Sequence, residues 1–304
     1  IKIHQGDLVL STMGRGFWIL DNLSVLHDEG LIALADEPHL FAIPSTIRHR
    51  SPMGRSNGDH VEYPEPGVWI DYYVPKGNKA PVELQVFGPD GEWITTLASD
   101  SIKASSELVE NMALNQKEYL ITKALNAKPG LQRYRWDMQA RGPSSANKNR
   151  AYRNGALVNP GEYTVQLTIG DWETRQQFYL LPDPRVLGAG ISVADMKAQY
   201  ELTTTITTLI TRARKLEQAW EKALKTASAD TSQKAYAEAL ARALPQLQTE
   251  KDMIYPEPKL LDQIEYLGYM LRGADQRPGD DAYARLAELT KQLNELEERV
   301  EGAK

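Results

Sequence analysis

The chain contains no cysteine. That excludes disulfides, thiol nucleophiles and thiolate metal sites together. It also lacks any apolar run approaching the roughly 20 residues that a membrane-spanning helix needs. Positive charge is not in excess: the formal net charge is −6, where a nucleic-acid partner would favour a basic face. Neither a Gly-x-Ser-x-Gly elbow, a phosphate-binding loop nor a dinucleotide fingerprint occurs. The opening Ile1-Lys2-Ile3-His4 is neither a start methionine nor a basic-then-apolar export signal, so the beginning is read as a cut.

What is present is enough apolar material, 41% of 304 residues, for two or three modest cores. The character of the chain changes along its length. Up to about residue 183 it is rich in β-formers, aromatics and Pro/Gly turns, and every tryptophan except Trp220 lies there. From about residue 191 the helix formers Ala, Leu, Glu, Lys and Gln dominate. Leu181-Pro182-Asp183-Pro184 reads as the linker.

Three regions are expected. In residues 1–62, Asp7-Leu8-Val9-Leu10-Ser11-Thr12 and Phe17-Trp18-Ile19-Leu20 read as a hairpin around Gly14-Arg15-Gly16. Further strands are expected at Gly30-Leu31-Ile32-Ala33-Leu34 and Leu40-Phe41-Ala42-Ile43-Pro44. An isolated strand pair is marginal in water, so the hairpin needs neighbours.

Residues 63–183 follow the connector Tyr63-Pro64-Glu65-Pro66-Gly67 and predict strands at 68–74, 82–87, 93–97, 132–138, 163–169 and 174–180. Tyr163, Val165, Leu167 and Ile169 alternate with polar residues, as in a half-buried strand. Short alternating strands between turn signals point to a β-sandwich of immunoglobulin or fibronectin type. Residues 101–127 read as an inserted loop with helical content, and 142–158 as a second, polar loop.

Residues 191–304 predict an α-helical bundle. Leu286, Leu289, Leu293, Leu296 and Val300 form one apolar stripe. A helix near Pro258 carries Leu261, Ile264, Leu267 and Leu271, a longer one spans about 192–227, and Asp230 stands ready to cap another. The overall expectation is a multidomain α+β protein.

The string Asp7-Leu8-Val9-Leu10-Ser11-Thr12-Met13-Gly14-Arg15-Gly16-Phe17-Trp18-Ile19-Leu20-Asp21-Asn22 resembles the last propeller blade of bacterial sortilin-like, or BNR-repeat "glycosyl hydrolase", proteins. Members read Asp-Leu-Val-Val-(Gly/Ala)-Thr-His-Gly-Arg-(Ser/Gly)-Phe-Trp-Ile-Leu-Asp-(Asp/Asn), so Met13 stands where a histidine is usual. The resemblance extends through Gly130-Leu131-Gln132-Arg133-Tyr134-Arg135-Trp136-Asp137-Met138, Asp183-Pro184-Arg185-Val186 and Ala274-Asp275-Gln276-Arg277-Pro278-Gly279. It implies an upstream β-propeller as partner, an extracytoplasmic location (periplasmic, secreted or cell surface), and a glycan or protein ligand. It makes Gly14, Arg15, Gly16, Trp18 and Asp21 a structural motif of the blade.

Candidates for chemistry are few. His27-Asp28-Glu29, His39, His49 and Asp59-His60 supply metal-ligand types but no recognised spacing, and these histidines are read as surface residues. Asp71, Asp90 and Glu92 fall on a strand and a hairpin tip, with nothing to set two of them across a glycosidic bond. Arg15 beside Trp18 and Asp21 is read as structural, and Trp220 as core. Trp69 and Tyr73 share one side of their strand and Tyr72 the other, so at least one side is core. No cofactor, structural metal or complete active site is expected. The function expected is non-catalytic bracing of the propeller and binding of protein or glycan; the rival is the accessory half of a propeller glycoside hydrolase.

Overall fold

The computed structural model describes residues 1–4, 6–27, 37–50, 66–100, 125–145, 153–250 and 254–304, which form a mixed α+β protein. The strand read at 30–34, the candidates Asp28, Glu29, Asp59 and His60, Tyr63 to Glu65 of the connector, residues 101–124 of the 101–127 insertion and residues 146–152 of the polar loop lie outside these residues. Contacts divide the chain into two units, Ile1–Met138 with Asn159–Pro184, and Gln139–Val158 with Arg185–Lys304.

The first unit opens with β1 (Lys2–His4), β2 (Asp7–Ser11) and β3 (Phe17–Leu20), an antiparallel sheet in that order, followed by the single turn α1 (Ser24–His27). Eight further strands build two sheets. β4 (His39–Leu40), β6 (Val68–Val74) and β9 (Gly130–Trp136) form one, in the order β4-β6-β9. β5 (Thr46–Arg48), β7 (Val82–Phe87), β8 (Trp93–Ala98), β10 (Gly161–Ile169) and β11 (Trp172–Pro182) form the other, in the order β5-β11-β10-β7-β8.

Alternation decides which side chains enter the core. Tyr163, Val165, Leu167 and Ile169 of β10 are buried, as are Val82, Leu84 and Val86 of β7. Val68, Ile70, Tyr72 and Val74 of β6 are buried too, while Trp69 and Tyr73 are half-buried on the other side. Trp136 of β9 lies 5.9 Å from the Tyr163 ring and 6.4 Å from the Phe178 ring, so the two sheets share one aromatic core.

One difference from the sequence reading concerns residues 39–48, placed there with the hairpin in 1–62. They supply a strand to each of the two sheets. β4 pairs with β6, the backbone of Phe41 donates to the Asp71 carbonyl at 3.1 Å, and β5 then runs parallel to the end of β11. Pro44, which has no N–H to donate, stands where the chain leaves one sheet for the other. The expected strand at 40–44 is thus two short ones with a crossing between them.

The second unit is helical: α2 (Pro184–Gly188), whose first residue belongs to the first unit, then α3 (Val193–Ala227), a 3-10 turn (Thr231–Gln233), α4 (Lys234–Leu247), α5 (Leu260–Arg272) and α6 (Asp280–Glu301). Ser192 opens α3 with a reciprocal cap: its hydroxyl accepts from the Asp195 backbone at 3.1 Å, and its own N–H donates to the Asp195 carboxylate at 2.9 Å. Asp230 caps the 3-10 turn through the Ser232 N–H. Leu289, Leu293, Leu296 and Val300 are buried with Ile206, Ile210, Ala213, Trp220 and Ile264 in one core. Gln199 donates to the carbonyls of Leu271 and Ala274 at 2.5 and 2.7 Å, so α3 caps the open end of α5.

A second difference concerns residues 139–158, of which 142–158 read from sequence as a polar loop of the β region. By its contacts this segment belongs to the helical unit. Ala140 pairs with Ala156 at 2.8 Å, Ser144 donates its N–H to the Thr211 hydroxyl at 3.2 Å, and Arg214 donates to the Ser144 carbonyl at 3.1 Å. No helix among the described residues is long and apolar enough to cross a membrane.

Candidate interaction surface

The sheet β1-β2-β3 has an unusual balance of apolar content and burial. Phe17, Trp18, Ile19 and Leu20 are 78%, 62%, 61% and 51% exposed, although the strand alternates sides at every residue. Both of its faces are therefore open. Ile1, Ile3 and Met13 are exposed beside them. β1 and β3 are the two margins of the sheet, and among the described residues neither has a second partner strand. An open margin beside apolar side chains is a template for another strand.

The tip is a tight turn. Gly14 and Gly16 have φ of +81° and +78°, which L side chains seldom adopt, and Thr12 closes the turn by donating both its N–H and its hydroxyl to the Gly16 carbonyl, at 3.1 and 3.0 Å. Arg15 and Trp18 are exposed, Arg15 at the apex. Asp21 lies at the opposite end of β3, next to a different arginine.

That arginine is Arg133 of β9. It donates from Nε and Nη2 to the two oxygens of Asp71, at 2.7 and 3.0 Å. The same guanidinium donates to the carbonyls of Asp21 and Asn22, each at 3.0 Å. Asn22 completes the clamp: its side chain donates to Asp71 at 3.3 Å and its N–H to the Asp7 carboxylate at 2.9 Å. Trp69 lies under the Arg133 guanidinium, 5.4 Å from ring centre to charge. The Asp71 side chain is buried and that of Arg133 about a third exposed. Burial, with the Asp7 charge adding to it, raises the Asp21 carboxyl above the usual carboxylate range, and Arg133 opposes the shift.

Of the motif residues, the structure thus places Gly14, Arg15 and Gly16 at the tip, Trp18 on the open strand and Asp21 at the clamp. Sequence reasoning missed Arg133 and Asn22. The usable signal was Asp71, a carboxylate among Ile70, Tyr72 and Val74, which burial obliges to find a cation or donors. Asp71 is accounted for by that ion pair. Glu92 accepts from the Asp90 backbone at 3.0 Å within its own turn.

The described histidines are scattered. His4 is on β1, His39 stands edge-on to Phe41 at 4.7 Å, and His49 Nδ1 lies 3.1 Å from the Ile47 carbonyl. Among the described residues no three His, Asp or Glu side chains are grouped to hold a metal ion.

Compared with protein-family models, curated proteins and solved structures, the chain matches none.

Proposed function

We propose that this chain is a non-catalytic structural and binding part of an exported β-propeller protein, and that β1-β2-β3 completes the propeller's last blade. The observation that carries the reading is the contrast within the first unit. The sheet is apolar on both open faces, yet its base is locked by the Arg133–Asp71–Asn22 clamp. Each large apolar side chain withdrawn from water contributes roughly 1.5–3 kcal/mol, so a partner covering Phe17 to Leu20 gains substantially. The resemblance of the Asp7–Asn22 string to a terminal blade names that partner as an upstream propeller of the same polypeptide. On this reading the two-sheet core is a module of immunoglobulin or fibronectin type, and it holds the blade strands in place.

Hydrogen exchange tests the proposal, comparing the 304-residue chain with the gene product that carries the upstream propeller. The amides of β2 and β3 should gain at least about 100-fold protection in the longer protein, a change of roughly 2.7 kcal/mol in local opening, and Trp18 emission should shift to the blue. Equal exchange and emission in both would overturn it. So would protection that rises with the concentration of the 304-residue chain alone, which assigns the surface to a second copy.

A further inference from the structure

The helical unit carries an open cleft of roughly 580 Å³, within the usual range of small-ligand sites, about 300–1,000 Å³. One wall follows from the spacing on α5. Asp262, Glu265, Tyr266, Tyr269 and Arg272 recur at intervals of three and four and fall on one face. Ile264, Gly268 and Leu271 take the buried side. Gly268 lets α5 approach α3 closely, since a Cβ there would stand 3.2 Å from Ile206 and 3.6 Å from Ile210. The other walls are Ile210 and Arg214 of α3, one turn apart, and Arg153 and Asn154.

Two features of the lining point to a ligand. Tyr266 and Tyr269 are 62% and 61% exposed, their ring centres lie 6.4 Å apart, and their planes differ by 27°. Two open, near-parallel phenol rings offer flat apolar faces ending in hydroxyls, which suits the C–H face of a pyranose. The second feature is charge. Among the described residues, three guanidiniums (Arg153, Arg214, Arg272) line the cleft against two carboxylates (Asp262, Glu265), a surplus of one positive charge in a chain of net −6. Arg214 pairs with Glu265 at 2.7 Å. Burial, first of all, lowers the Arg272 pKa; Glu265 opposes that shift and the like charge of Arg214 adds to it.

We propose that this cleft binds an acidic saccharide, a glycan whose ring bears a carboxylate. The tyrosine faces take the sugar ring. Asp262, Glu265 and Asn154 take its hydroxyls, because carboxylates accept and the amide both donates and accepts. The surplus guanidinium charge takes the sugar's carboxylate, for which the planar fork is the best match among side chains. The site shares no residue with the blade-strand surface, so the two proposals stand or fall separately.

The test is calorimetric titration of the full 304-residue chain at low salt. The probes are short oligosaccharides of galacturonic, glucuronic and sialic acid, each beside its neutral counterpart. At least one acidic probe should bind about tenfold more tightly than its neutral counterpart, and added salt should weaken it. Tyr266→Ala and Tyr269→Ala should each weaken binding about tenfold. Arg153→Gln should reduce the preference for the acidic form. All three side chains are exposed, so the variants should melt with the parent. No binding of any probe at about 10 mM, equal affinity for acidic and neutral forms, or affinity unmoved by both tyrosine variants overturns the proposal.

Discussion

Arg133 holds Asp71 through two parallel charge-assisted hydrogen bonds, at 2.7 and 3.0 Å, and with the rest of its fork holds the chain at Asp21 and Asn22. The two partners are not equivalent, because the Asp71 side chain is 2% exposed and that of Arg133 32%. Arg133→Ala leaves a buried carboxylate without its cation and should cost about 2–3 kcal/mol. Asp71→Asn leaves a guanidinium that water still reaches and should cost less. Arg133→Lys should fall between, since an ammonium keeps the charge but not the fork. Urea unfolding orders the three variants, and hydrogen exchange should show β2 and β3 opening first in Arg133→Ala.

The shared core of the two sheets makes Trp136 the most sensitive apolar position of the first unit. It is 1% exposed and touches aromatic rings of both β10 and β11. Trp136→Ala should destabilise by about 3–5 kcal/mol. A chemical-denaturation midpoint unmoved by this change would show that the sheets do not depend on one another.

Tyr72 gives a test in alkali. Its hydroxyl donates to the Asn126 carbonyl at 2.8 Å and accepts from the Asn126 N–H at 3.1 Å; burial pushes its pKa from 10.0 up to about 12, with the N–H opposing the shift. Below pH 10 folded and unfolded chains both keep the proton, so the stabilising contribution is fully present. Between 10 and about 12 the unfolded chain loses it first, and stability should fall by about 1.4 kcal/mol per pH unit. Tyr72→Phe should lack this component while losing about 1 kcal/mol at neutral pH. Denaturation midpoints from pH 9 to 11.5 distinguish the two.

The 139–158 segment implies that the helices are incomplete without it. A polypeptide of residues 185–304 lacks the Ser144 groups that meet Thr211 and Arg214. It should melt at a lower temperature than the parent's helical unit, and a peptide of residues 139–158 should raise its midpoint in a dose-dependent way. A peptide without effect would show that the segment only rests on the helices.

These elements were not equally visible in the sequence. The β10 strand and the α6 helix were legible because each repeats its apolar residues at the period of its own geometry, two for Tyr163 to Ile169 and three to four for Leu289 to Val300. β5 was not. Thr46-Ile47-Arg48 is too short to show a period, and its partner is Leu180-Leu181-Pro182 at the far end of the unit. Residues 142–158 read as a plain polar loop because part of what holds the segment is backbone hydrogen bonding at Ala140 and Ser144, which leaves no pattern in the side chains. At the interaction surface, the tip glycines and open aromatics could be picked out from the string itself. The clamp could not, since Arg133 meets Asp71 only after β9 has paired with β6.

The parallel pairing of β5 with β11 also sets a timetable for a chain leaving the ribosome. Thr46 must wait for Leu180, roughly 130 residues later; at about 5–20 residues per second this is a delay of roughly 7–26 s. During that time the first sheets have an open edge and the 139–158 segment emerges ahead of the helix it will join. The β core therefore cannot close until part of the helical unit has already been made. Translation pauses after about residue 182 should favour correct folding, whereas pauses between 48 and 180 lengthen the exposure of β5 to strands of neighbouring nascent chains.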